Sequence, residues 1–66
     1  MKQVIFTKRE IEILQLICQG YTNLEIAEVL NISFHTVKTH VASILLKFGV
    51  KNRLLAAMKY TKEIKN

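Results

Sequence analysis

The chain of 66 residues contains no proline, no tryptophan, two glycines and one cysteine. The lone Cys18 cannot form an internal disulfide, and no group of cysteine and histidine has the spacing of a zinc site. No apolar run has the length of a membrane span, and the first residues lack the basic-then-apolar pattern of a signal peptide. These absences argue against a disulfide scaffold, a metal centre and a membrane protein. They predict a cytoplasmic location and no cofactor.

Length and charge narrow the possible functions further. Residues 1–66 are expected to form a single domain, too small to enclose a deep catalytic pocket, so the chain is not expected to be an enzyme. The net charge is +5, from 10 lysines and arginines against 5 acidic residues. Such a charge favours an anionic partner, either nucleic acid or a membrane surface, although it is also common on small soluble domains.

Cap residues and breakers divide the chain into short helices. Four side chains are placed to accept hydrogen bonds from the first amides of a helix: Thr7, Thr22, Ser33 and Asn52. Three residues that tolerate a left-handed backbone are placed to end one: Gly20, Asn31 and Gly49. Apolar residues recur at helical spacing between these signals. The sequence therefore predicts an all-α fold, without a sheet, of four short helices at 8–19, 23–30, 34–48 and 53–64.

The connection between the second and third predicted helices has the features of a helix-turn-helix. Only residues 31–33 separate the two helices. Ala27 is small enough for the helices to cross closely, Asn31 accepts a left-handed turn, and Val37 is an early apolar anchor. Ile32 can join the turn to the core. An arbitrary helical pair need not satisfy all four demands, so the pattern favours this motif.

In a helix-turn-helix the second helix enters the major groove and meets base edges with its first residues. A helical projection of residues 34–48 places four residues roughly opposite the buried stripe: His35, Thr39, Ala42 and Ser43. Lys38, on the flank of that stripe, can donate to guanine, while threonine offers a hydroxyl and a methyl group. The residues predicted to face bases are Lys38, Thr39, Ala42 and His35. A lysine such as Lys38, taken alone, would more often be solvated than contact a base, and His35 has simple exposure as its alternative.

The segments TKRE (7–10), EIAEVLNIS (25–33) and TVKTH (36–40) resemble the LuxR/FixJ-type, GerE-like DNA-binding domain of bacterial transcription regulators. The resemblance covers residues 6–60. It implies a tetrahelical LuxR-type fold whose third helix reads double-stranded DNA. It also implies a set of residues that meet the DNA backbone or support the site: Thr22, Asn23, Ser33, Thr36, Lys47 and Arg53. For His40, a phosphate contact and a structural role both remain open.

The fourth predicted helix has two apolar strips. One contains Ala56, Ala57, Tyr60 and Ile64, and the other contains Leu54, Leu55 and Met58. One strip can cover the core, which leaves the other exposed unless a partner covers it. Members of the LuxR/FixJ-type family commonly dimerise through this helix. The resemblance therefore predicts that Leu54, Leu55 and Met58 form a homodimer interface. A wide core stripe is the alternative.

The sequence thus predicts a sequence-specific DNA-binding domain, either the effector domain of a response regulator or a stand-alone regulator. A helical protein-interaction module that docks on RNA polymerase or on another regulator is the alternative. The salt dependence of binding would distinguish DNA binding from protein interaction, because binding to DNA phosphates weakens steeply as the salt concentration rises.

Overall fold

Four α-helices follow one another along the part of the chain that the computed structural model describes, residues 5–65 (side chains through residue 63). They are α1 (Lys8–Cys18), α2 (Asn23–Leu30), α3 (Phe34–Phe48) and α4 (Arg53–Tyr60). No strand occurs within these described residues, which confirms the all-α prediction. The last helix differs from the prediction, because α4 ends at Tyr60 and a π-helical segment, Thr61–Lys65, follows it. The side chain of Ile64 lies outside the described residues.

Thr7 and Thr22 cap the first two helices, as predicted, and in each case the capping is reciprocal. The Thr7 hydroxyl accepts the Glu10 amide at 3.1 Å, while the Glu10 carboxylate accepts the Thr7 amide at 2.8 Å. Thr22 and Glu25 repeat both bonds at the start of α2. The side chains of Ser33 and Asn52 cap α3 and α4. These caps satisfy amides that would otherwise lack a partner, and they fix where each short helix begins.

The turn between α2 and α3 depends on the left-handed conformation of Asn31, whose φ is 55° and ψ is 47°. This conformation costs most side chains about 1–2 kcal/mol, and asparagine tolerates it better than any residue except glycine. The following amide, of Ile32, donates to the Ala27 carbonyl at 3.0 Å and closes the helix end. Three residues, 31–33, connect α2 to α3, as the sequence predicted, and α3 starts at Phe34.

All four helices contribute to one hydrophobic core. Its buried members are Ile13, Leu14, Ile17, Ile26, Ala27, Val37, Val41, Ile44, Phe48, Ala56 and Tyr60. Phe6 packs on the core beside the end of α3, where its ring centroid lies 4.7 Å from that of Phe48. Cys18 is half-buried against this core. Between residues 5 and 65, no helix is both long and apolar enough to cross a membrane.

A buried carboxylate joins α1 to α3. Glu10 is only 3% exposed, and its carboxylate accepts Lys47 Nζ at 2.7 Å and the Ser43 hydroxyl at 2.8 Å. The placement of Ser43 on the outward face of α3 was therefore wrong, because its side chain is half-buried and bonds to α1. Burial acts to raise the pKa of Glu10, but bonds from Lys47, the Thr7 amide and Ser43, with the charge of Lys47, lower it to about 2.

The Glu10 cluster (Glu10, Ser43 and Lys47) predicts a specific loss of stability in acid. The folded-state pKa lies below the unfolded value of 4.5, so the contribution is present above pH 4.5 and is lost as the pH falls toward 2. We expect the free energy of unfolding to fall by about 3 kcal/mol from this group across that window. Urea denaturation at a series of pH values measures it.

Glu10→Gln should flatten this part of the pH profile, since glutamine does not titrate. Glu12→Gln is the matched control, because Glu12 lies at the surface in an i,i+3 pair with Arg9. This control should retain the loss of stability seen in the wild type. An unchanged profile in Glu10→Gln would mean that other carboxylates carry the acid sensitivity.

Candidate nucleic-acid interface

The outward face of α3 carries the residues predicted to face bases. The side chains of His35, Lys38, Thr39 and Ala42 are all exposed. Val37, Val41 and Ile44 on the opposite side are buried. The structure therefore brings the four predicted residues together on one accessible surface along residues 35–42 of α3. Their contact with bases stays a prediction.

The hydroxyl of Thr39 already has a partner within α3. It donates to the His35 carbonyl at 3.1 Å, an i to i−4 bond. The hydrogen of this hydroxyl is thus used inside the helix, while the oxygen lone pairs and the methyl group remain at the surface. The side chain offers an acceptor and an apolar contact to a ligand more readily than a donor.

Lys38 is associated with an aromatic ring that the sequence interpretation did not consider. Its Nζ lies 5.7 Å from the ring centroid of Phe34, one turn earlier on α3. Phe34 is 47% exposed at the first residue of the helix. The available sequence signal was the i,i+4 spacing of an aromatic residue and a lysine, which places the two side chains side by side.

Ser33 and Thr36 form a linked pair at the N-terminus of α3. The Ser33 hydroxyl accepts the Thr36 amide at 3.0 Å and donates to the Thr36 hydroxyl at 2.8 Å. Since Thr36 Oγ1 accepts from Ser33, its own hydrogen is left to donate outward. An acceptor such as a phosphate oxygen fits this hydrogen and the positive end of the helix dipole. Thr22 caps α2 in a similar exposed position.

Asn23 and Arg53, two residues predicted to contact the DNA backbone, bind each other. Arg53, the first residue of α4, donates to the Asn23 side-chain oxygen and to the Tyr21 carbonyl, the latter at 2.6 Å. The guanidinium therefore ties α4 to the start of α2. Other N–H groups of Arg53 remain for a ligand, because a guanidinium carries five donors.

Lys47 likewise has partners inside the domain. Its ammonium donates to the Ile5 carbonyl at 3.1 Å as well as to Glu10, and its side chain is 33% exposed. Its observed role is to hold the N-terminal segment and α1 against α3. His40 is half-buried at the flank of the core stripe. Contact of either residue with DNA stays a prediction.

The second apolar strip of α4 lies at the surface. Leu54 is 67% exposed, Leu55 is 39% exposed and Met58 is 60% exposed. Ala56 and Tyr60, from the other strip, are buried in the core. For the part of the chain that the structure describes, no group of three or more histidine, cysteine, aspartate or glutamate side chains could hold a metal ion.

Comparisons with known proteins agree with this geometry. The family model GerE, "Bacterial regulatory proteins, luxR family", matches residues 4–60. The transcriptional regulatory protein LiaR of Bacillus subtilis (strain 168) is 56% identical over 52 residues, which are 79% of this chain and 25% of LiaR. The response regulator protein VraR of Staphylococcus aureus (strain NCTC 8325 / PS 47) is 50% identical over 54 residues, which are 82% of this chain and 26% of VraR.

A solved structure shows the same fold. The crystal structure of the response regulator ChrA in a heme-sensing two component system superposes with a TM-score of 0.88 at 41% identity. The match covers 96% of this chain and 31% of ChrA. The chain also spans only part of the curated relatives, 25% of the length of LiaR and 26% of that of VraR.

The Arg53 contacts predict a structural role that does not require DNA. Arg53→Lys should lower the free energy of unfolding by about 1–2 kcal/mol, because one ammonium cannot replace a planar fork that reaches two acceptors. Urea denaturation of the free protein measures this change. Lys51→Ala, at an exposed position in the loop that precedes α4, should change stability by less than about 0.5 kcal/mol. Equal stability of Arg53→Lys and the wild type would instead leave Arg53 for contact with a partner.

Proposed function

The chain belongs to the luxR family of bacterial regulatory proteins, and from this membership we propose how it recognises its ligand: α3 enters the major groove of double-stranded DNA and reads its sequence. The observation that carries the proposal is the exposed face of α3, which follows a tight left-handed turn and bears Lys38, Thr39 and Ala42. The turn projects this face away from the core. Its side chains offer a cation, an acceptor with a methyl group, and a small surface for close approach.

We propose different roles for the two halves of α3. Fifteen residues span about 22 Å. Because the recognition helix of a helix-turn-helix meets base edges with its N-terminal residues, we propose that the N-terminal half of α3 contacts the bases. Of the proposed base-facing residues, His35, Lys38 and Thr39 lie in that half, and Ala42 follows its last residue. The C-terminal half carries Ser43 and Lys47, which bind Glu10. The reading end and the anchored end of α3 are thus separate.

Contacts to phosphates would supply most of the affinity. The net charge of +5 attracts the DNA, and the capped starts of α2 and α3 present hydroxyls beside the positive ends of two helices. We assign Thr22, Ser33 and Thr36 to this role directly. Asn23, Lys47 and Arg53 contribute first by holding the helices, and their remaining hydrogens are available to phosphates. We propose that His40, at the flank of the same surface, also contacts a phosphate.

We also propose that two copies bind DNA together through α4. The strip of Leu54, Leu55 and Met58 is apolar and exposed, and a two-fold pair of such strips would be removed from water. Two α3 helices related by a two-fold axis would read half-sites about one DNA turn apart, or a multiple of it. RNA polymerase is the alternative partner for this strip.

The relatives suggest the context of the domain. VraR and ChrA are named as response regulators, and this chain spans about a quarter to a third of each. We propose that the chain is the DNA-binding effector part of such a regulator, that it acts in the cytoplasm where chromosomal DNA lies, and that it works by binding rather than by catalysis.

Base reading by Lys38 predicts a change in specificity. Lys38→Ala should cost about 1–3 kcal/mol on the preferred site and relax the preference at one guanine, if the ammonium donates to O6 and N7 of that base. Selection from a random-site pool, followed by binding titrations at two salt concentrations, measures both effects. The wild type should show a steep salt slope, of about −0.9 per phosphate neutralised.

Thr36→Val is the matched control for this test. It removes one hydroxyl at the same end of α3 and should weaken binding to all sequences alike, because phosphates carry no sequence information. Unchanged affinity and unchanged site preference in Lys38→Ala would exclude its role in base reading. Absence of any enriched sequence with the wild type would contradict the proposed function itself.

The α4 strip predicts cooperative binding to paired half-sites. Leu54→Glu combined with Met58→Glu should abolish dimer formation, because two carboxylates would be buried in the interface without partners. Affinity for a single half-site should stay within about two-fold of the wild type, apart from a small effect of the lower net charge. Sedimentation and titration on one-site and two-site DNA measure this. Retained cooperativity would assign the strip to another partner, such as RNA polymerase.

A further inference from the structure

An exposed aromatic ring lies beside the proposed reading lysine. Phe34 is the first residue of α3 and is 47% exposed, although its ring is large and apolar. Its position is the helix end that enters the major groove in a helix-turn-helix. The ring is therefore available to a ligand at the same end of α3 as Lys38, Thr39 and His35.

The direction of helical side chains explains why Phe34 and Lys38 meet. Side chains on an α-helix lean toward its N-terminus, so a lysine reaches back over the residue four positions earlier. Lys38 Nζ lies 5.7 Å from the centroid of the Phe34 ring, within the distance at which the ring attracts a cation. The ammonium is thus held near the N-terminal turn of α3 and directed toward the end that meets base edges.

We propose that Phe34 is a specificity-determining residue that selects a thymine next to the guanine read by Lys38. This inference rests on the proposed DNA binding. The exposed part of the ring provides an apolar surface for the 5-methyl group of thymine, a group that no other base presents in the major groove. The ring also positions the Lys38 ammonium, which leaves its N–H groups for O6 and N7 of the adjacent guanine. Phe34 and Lys38 together read two neighbouring base pairs.

Removal of one methyl group from DNA tests the proposal. The preferred site is first selected from a random pool with the wild-type chain, and we expect a thymine beside the Lys38-dependent guanine. Replacement of that thymine by deoxyuridine removes only the methyl group. We expect an affinity loss of about four-fold, as for one apolar group returned to water. Deoxyuridine at a thymine outside the contacted half-site should have no effect.

Variants at position 34 assign the methyl effect to the ring. Phe34→Ala should lose the thymine preference and bind the thymine and deoxyuridine sites equally. Phe34→Leu keeps an apolar surface without a ring, so it should retain the methyl sensitivity while its preference for the adjacent guanine weakens about two- to five-fold. Leu24→Ala is the matched control, since Leu24 is an exposed apolar residue on α2, 59% exposed. It should behave as the wild type does.

The outcomes separate this inference from the proposed function. Equal methyl sensitivity in Phe34→Ala and the wild type, or selection of no thymine beside the guanine, would overturn the role of Phe34 while sequence-specific binding stands. Failure of the wild type to enrich any sequence would overturn the proposed function. Because Phe34 is half-exposed and lies outside the buried core, its variants should fold, and thermal unfolding of each variant verifies this.

Discussion

The hydrogen bonds to the Glu10 carboxylate set the orientation of α3. A carboxylate that is 3% exposed is stable only when its oxygens have donors, and here the donors are the Thr7 amide, Ser43 and Lys47. Ser43 and Lys47 are one turn apart, so together they fix one side of α3 against α1. Rotation of α3 about its axis would break both bonds. Together with the buried face of Val37, Val41 and Ile44, these bonds keep Thr39 and Ala42 on the outward side of α3.

The short α2 depends on contacts at both of its ends. With 8 residues it is too short to be stable alone. At its start, Thr22 and Glu25 cap it, and Arg53 of α4 binds the Asn23 side chain. At its end, the left-handed Asn31 directs the chain into α3. The left-handed backbone of Asn31 thus fixes the end of α2. The guanidinium of Arg53, which lies outside the helix-turn-helix, fixes its start.

Local signals in the sequence predicted most of the fold. Caps such as Thr7 and Ser33, and the left-handed Asn31, act within four residues, so they can be recognised without a structure. The partners of Ser43, Lys47 and Arg53 are 30 or more residues away and follow from tertiary packing alone. The helical projection placed Ser43 opposite the apolar stripe, because a projection of α3 alone does not show that Glu10 of α1 packs on that side. The shared surface of Lys38, Thr39 and Ala42 was predictable, whereas their contacts with bases require a complex.

The contacts on the face of α3 that is proposed to read bases also bear on the entropy of binding. The Thr39 hydroxyl is held by the His35 carbonyl, and the Lys38 ammonium is held near the Phe34 ring, before any DNA is present. Ordering a long side chain at an interface costs about 0.5–1.5 kcal/mol. Part of the rotamer freedom of Lys38 and Thr39 is already lost on folding. If these two side chains contact DNA as proposed, complex formation has less side-chain disorder to remove.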